Sequence, residues 1–107
     1  MMDPGRRWII QDAHGNSVYL TEERWEHIVE GHPEMALHET QLRDAVRLGT
    51  RSQDSLNPQK FRYLRAFTGL WGDNTHLEVV VLFRFGEDEG RLVPNNYVVT
   101  AYLKEIG

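Results

Sequence analysis

Apolar positions along the chain change period several times, and each change marks an element. Trp8–Ile10 and Val18–Leu20 are short apolar runs around Asp12-Ala-His-Gly-Asn16, the pattern of a β-hairpin closed by a Gly-Asn turn. Thr21 then offers an N-cap hydroxyl, Glu22 and Glu23 suit the positive end of a helix, and Trp25, Ile28 and Val29 form one apolar stripe at i, i+3, i+4. Gly31 can end that helix, and Pro33 biases His32 away from helical geometry. Between Pro33 and Leu48, Met35, Leu42, Ala45, Val46 and Gly49 share a face at 3.6-residue spacing, so a second helix is expected, stopping at Gly49.

Beyond it the period falls to two. Thr50 to Gln59 is polar, carries Asn57-Pro58, and reads as a surface loop. Phe61 to Phe67 reads as a strand. His76 to Phe85 is almost continuously apolar, as a central strand would be, and Tyr97 to Leu103 closes the series after an acidic turn at residues 86–90. The order predicts an α+β fold: an N-terminal β-hairpin and two helices packed on a C-terminal antiparallel β-sheet of three or more strands. The expected core is Trp25, Ile28, Val29, Leu42, Val46, Val79, Val81, Phe83, Val99 and Ala101.

A length of 107 residues predicts one domain, with 40% hydrophobic and 26% charged residues, as in an ordinary globular protein. No cysteine is present, which removes disulfides, thiolate metal sites and a cysteine nucleophile. This fits a reducing compartment, and a cytoplasmic location is expected. Met1 to Trp8 has charge but no following apolar run, so a signal peptide is not expected. The longest apolar stretch, Val79–Phe83, is too short to span a bilayer. The net charge of −4 disfavours non-specific nucleic-acid binding, yet it is unevenly spread. From Glu22 to Glu39 there are six glutamates, and from Arg43 to Arg65 six basic residues, including Arg51, Lys60, Arg62 and Arg65. The basic segment reads either as a solvated face of mixed charge or as a local anion site.

The candidate chemistry gathers on three segments. His27 and His32 lie at the end of the first helix, Arg62 and Arg65 on the first strand after the loop, and Thr100 and Tyr102 on the last strand. Histidine transfers protons near neutral pH, arginine can hold two phosphate oxygens, and a hydroxyl adds a donor. Those are the parts needed to cleave RNA without a metal, using the substrate's own 2′-hydroxyl as nucleophile. Each has a plainer reading. His27 lies about 200° round the helix from Trp25 and can be an exposed helix histidine. His32 can be a helix cap. Arg62 and Arg65 fall on opposite faces of a strand, so only one can face a given site, and either can be a surface ion pair. Thr100 can be an ordinary solvent-side β-former. His27, His32, Glu34 and His38 are close in sequence but lack the i, i+4 histidine spacing of a helical zinc site, so no metal or other cofactor is expected.

Trp25-Glu-His27-Ile28, His32-Pro33-Glu34, the arginine strand and the closing Val99-Thr100-Ala101-Tyr102 resemble the phage-associated members of the barnase, EndoU, colicin and RelE-like nuclease superfamily, small toxin-type ribonuclease domains. The resemblance runs from about Leu20 to Leu103. It implies helices followed by an antiparallel sheet, metal-independent RNA cleavage, and a cognate inhibitor or antitoxin protein as partner. Position by position it assigns His27 and His32 to the helix-end histidines, Arg62 or Arg65 to the basic strand residue, and Thr100 to the last-strand hydroxyl. Lys60, Arg51 and Tyr102 are the accompanying candidates for binding RNA. The acidic overall charge departs from a free ribonuclease toxin and sustains an alternative, a catalytically silent nuclease-like fold that binds protein or RNA.

Overall fold

A computed structural model describes residues 5–107. Residues 1–4, the start of the segment in which no signal peptide is expected, lie outside the described residues. The chain forms β1 (Arg6–Gln11), β2 (Ser17–Thr21), α1 (Glu22–Gly31), a 3₁₀ segment (Pro33–Leu37), α2 (Glu39–Leu48), β3 (Thr50–Gln53), β4 (Lys60–Ala66), β5 (His76–Asp88) and β6 (Arg91–Lys104). The α+β expectation is met. The separation of hairpin from sheet is not. All six strands join one sheet in the order β1-β2-β6-β5-β4-β3, and it is mixed, because β2 pairs parallel to β6. Sequence neighbours suggested only antiparallel pairing; the parallel contact joins segments more than seventy positions apart, which local patterning cannot reveal. The supposed loop after α2 begins with β3, which pairs antiparallel with β4.

The helices form where the pattern placed them. Thr21 caps α1, its hydroxyl accepting the Arg24 amide at 3.0 Å, and Ile28 is buried with Trp25 and Val29 half-covered. The second helix is broken into two pieces at His38, which leaves helical geometry (φ −128°, ψ 27°) and turns inward, its Nε2 accepting the Trp71 amide at 3.1 Å. α2 then buries Leu42, Ala45 and Val46. It stops where Gly49 turns to extended backbone (φ −69°, ψ 160°), a position only glycine fits: a Cβ there would stand 2.4 Å from the Ala45 carbonyl oxygen and 3.1 Å from that of Leu64.

β5 is central, between β4 and β6. Its Leu77, Val79 and Val81 point to the face that carries α2. With Trp8, Ile10, Val18, Leu20, Tyr63, Val98 and Ala101 they form one contiguous core. Val98 and Ala101 are three apart, which a regular strand forbids on one face. The register explains it: Val80 pairs with Thr100 but Val81 with Val98, so Val99 is an extra residue in a β-bulge. The expected burial of Val99 is therefore corrected to Val98. Phe83 is only partly buried and packs against the core's margin. β5 and β6 run on past their neighbours to a two-residue turn at Glu89 and Gly90, both with positive φ, as the type I′ hairpin requires.

The sheet also curls around its helix-bearing face. Asp12, in the β1–β2 turn, accepts the amides of His14 (2.9 Å) and Asn16 (2.8 Å) through one carboxylate oxygen. The other oxygen accepts the Tyr63 hydroxyl and Arg51 Nη1 (3.2 Å), so the first strands of the sheet order are tied to the last two. Burial alone would raise the Asp12 pKa. The Tyr63 hydroxyl, the two amides and Arg51 outweigh it and hold the carboxyl below its ordinary range.

Candidate functional site

The face of the sheet opposite α2 gathers Lys60, Arg62, Thr100 and Tyr102. Strand register sorts its side chains into rows. One row runs Ser52, Arg62, Val80, Thr100 across β3, β4, β5 and β6; the next runs Thr50, Leu64, Glu78, Tyr102; a third ends at His76 and Lys104. Tyr102 is thus the direct neighbour of Glu78, while Thr100 lies in the same row as Arg62 with Val80 between them. The bulge at Val99 leaves both hydroxyls on this outer face while Ala101 enters the core.

His32 reaches the same place from α1. β2 and β6 share only two register pairs before β2 leads into α1, and α1 packs against β6. Its cap residue, His32, stands with its ring centroid 5.9 Å from that of Tyr102, the planes tilted by 37°. The imidazole is 41% exposed and lies 3.9 Å from Glu34 through Nδ1. Tyr102 donates its hydroxyl proton to Glu78, whose other carboxylate oxygen lies 3.4 Å from Lys104 Nζ. Burial, followed by the bond to Glu78 and that carboxylate's charge, pushes the Tyr102 pKa up to about 12; the nearby Arg62 charge opposes the shift. At neutral pH Tyr102 is therefore a fixed donor that orients Glu78, and His32 is the partly exposed imidazole beside it.

Arg62 completes the cluster. One guanidinium nitrogen lies 3.3 Å from Asp54, and Nη1 is buried with no hydrogen-bond partner among the described residues. Nη1 itself meets no solvent, but the Arg62 side chain is 34% exposed, so a small rotation would present this unpaired cationic N–H to an anion near Tyr102. Glu78 and Lys104 were missed from the sequence. The signal was present: Glu78 is the one charge in the apolar run Leu77–Phe83, and a charge in a central strand must find partners.

The other sequence candidates go elsewhere. His27 is 56% exposed on α1 and faces Glu23 at 3.8 Å, not His32. Arg65 points to the helix-bearing side, over the Phe67 ring at 5.5 Å, which separates it from Arg62. Arg51 is on that side too, bound to Asp12 and to Asn16 (2.8 Å). Lys60 shares the outer face with Arg62, two residues away. The basic segment is consequently split between faces and does not make one patch. His38 faces inward, so the four residues considered for a metal do not converge, and no group of three or more acidic or histidine ligands gathers among the described residues. No helix among them is long and apolar enough to cross a membrane. Comparison with family models, curated proteins and solved structures returned no match, and the site stands on its geometry alone.

Proposed function

We propose that the chain is a small metal-independent ribonuclease of the barnase, EndoU, colicin and RelE-like kind, working on the outer face of its sheet. The observation that carries this reading is the meeting of His32, the Tyr102–Glu78 pair and the unpaired Nη1 of Arg62 on one face. A substrate phosphate would sit against Arg62, with Thr100 as an added donor. His32 takes the 2′-hydroxyl proton as the 2′-oxygen bonds to phosphorus. The P–O5′ bond breaks, and the 5′-oxygen takes a proton from solvent at the margin of the site, where the His32 side chain is 41% exposed; His32 then returns its proton to solvent.

The test is incubation of the purified protein with end-labelled RNA in EDTA. Products should end in 2′,3′-cyclic phosphate, and His32→Ala should lower the rate about 10²–10⁴-fold, the usual worth of a positioned proton carrier. A 3′-hydroxyl product, or equal rates for His32→Ala and His14→Ala, refutes the mechanism. The solvent-facing position of His27 favours a second reading, since a two-histidine mechanism loses one partner: a nuclease-like fold that binds RNA or a protein inhibitor without cutting. Salt-sensitive RNA binding with no cleavage would select it.

A further inference from the structure

The fork between β2 and β6 lies on the same strand as Thr100 of the proposed phosphate site. After the pairs Val18↔Asn96 and Tyr19↔Tyr97 the strands part, and a cleft of about 230 Å³ opens, lined by Tyr19, Thr21, Glu23, Arg24, Tyr97 and Val98. Its tyrosine rings are half-buried, 6.0 Å apart and tilted by 39°. Tyr19 is held from two sides. Its hydroxyl donates to Asn95 at 2.8 Å, and the Arg6 guanidinium lies 3.9 Å from the ring centroid. Tyr97 precedes Thr100 by three residues. On a straight strand they would face opposite ways; the extra residue at Val99 turns both outward.

We propose that this cleft is a nucleobase subsite, taking the base of a nucleotide adjoining the phosphate at Arg62 and Thr100; the inference rests on the ribonuclease reading and specifies its substrate contact. The cleft suits one planar ring system and is below the size that takes drug-sized ligands. Tyrosine faces stack on any base; Arg6 already covers one face of Tyr19, so affinity comes from Tyr97, with Tyr19 as the wall beside it. Thr21, Glu23 and Arg24 add edge donors and acceptors at an exposed rim, which gives a mild base preference. The bulge at Val99 is then the element that sets base cleft and phosphate site side by side on one face.

The four tyrosines, at positions 19, 63, 97 and 102, make ring-labelled NMR of the intact protein a direct test. Adenosine 3′-monophosphate should shift Tyr19, Tyr97 and Tyr102; inorganic phosphate should shift Tyr102 alone; Tyr63, in the core, should stay still under both. Tyr97→Leu, which keeps apolar bulk but removes the ring face, should weaken the nucleotide roughly 5- to 150-fold and leave inorganic phosphate unchanged. If the nucleotide moves Tyr102 only, or binds Tyr97→Leu as tightly as the parent, the subsite is overturned and the phosphate site stands. Shifts at Tyr19 and Tyr97 with Tyr102 silent under both ligands support the cleft and overturn the phosphate site. No response at any tyrosine overturns both.

Discussion

Replacing Asp12 by alanine tests the closure of the sheet, because one carboxylate holds four groups from both ends of the strand order. Its side chain has no solvent exposure, and it accepts the His14 and Asn16 amides, the Tyr63 hydroxyl and Arg51. Removal strands a buried hydroxyl and leaves a mostly covered guanidinium without its counter-charge, with Asn16 as its remaining hydrogen-bond partner. Breaking one side of a buried ion pair costs about 3–5 kcal/mol, a large share of the roughly 5–15 kcal/mol that holds a domain folded. Tyr63→Phe removes one of the four partners and leaves the charge pair, so about 1–2 kcal/mol is expected, near the worth of a hydrogen bond to a charged group. The two losses share an interaction, so the double variant should fall short of their sum by about 0.5–3 kcal/mol. Urea denaturation followed by tryptophan fluorescence measures all three. The folded Asp12 pKa lies below its ordinary 3.8, so its contribution is full above that pH and is lost as pH falls below it. The gap between parent and Asp12→Ala should therefore narrow only in acid. A loss under 0.5 kcal/mol for Asp12→Ala, or strict additivity with Tyr63→Phe, would refute the account.

Gly49→Ala should destabilise by about 1–3 kcal/mol, the cost of forced overpacking, since its Cβ would collide with the Ala45 carbonyl; a neutral denaturation midpoint would contradict this. Val98→Ala should cost about 2 kcal/mol and Val99→Ala under 1 kcal/mol, the reverse of what strict alternation implies, as a pair of melting curves would show. Tyr102 has a folded pKa raised to about 12 from 10, so its contribution to stability holds below pH 10 and fades as pH climbs through 12. Ultraviolet titration of Tyr102→Phe should lack that late-titrating phenol, and a loss near pH 10 instead would show that Glu78 does not hold it.

Element type was legible where one period dominated. The Trp25–Ile28 stripe with the Thr21 cap made α1 readable, and the unbroken apolar run made β5 central. What escaped depends on distant partners. β3 is four polar residues, and it exists because β4 offers it an edge. The bulge at Val99 inverted the face of everything before it on β6, which no local alternation encodes. At the site, His32, Thr100, Tyr102 and Arg62 were found by residue type. Choosing Arg62 over Arg65 needed the register, and His27 was separated from His32 because the chain leaves helical geometry at His32 (φ −137°, ψ 79°). Glu78 went unread because its partners, Tyr102 and Lys104, lie on another strand.

The parallel contact of β2 with β6 has a consequence for how the molecule comes into being. The N-terminal hairpin is made early, but its place in the sheet is defined by residues 76 and 79 positions downstream, as in the bonds from Tyr19 to Asn95 and from Asn96 to Ser17. Until β6 has left the ribosome, β2 has an open edge and the central strand of the sheet lacks one neighbour. Contacts of that separation close slowly, because a long loop must lose its freedom first. His32 likewise has no Tyr102 to stand against until then. Assembly of the outer-face cluster is thus tied to the last strand of the sheet, and a growing chain carries its separate parts without the arrangement that would let them act.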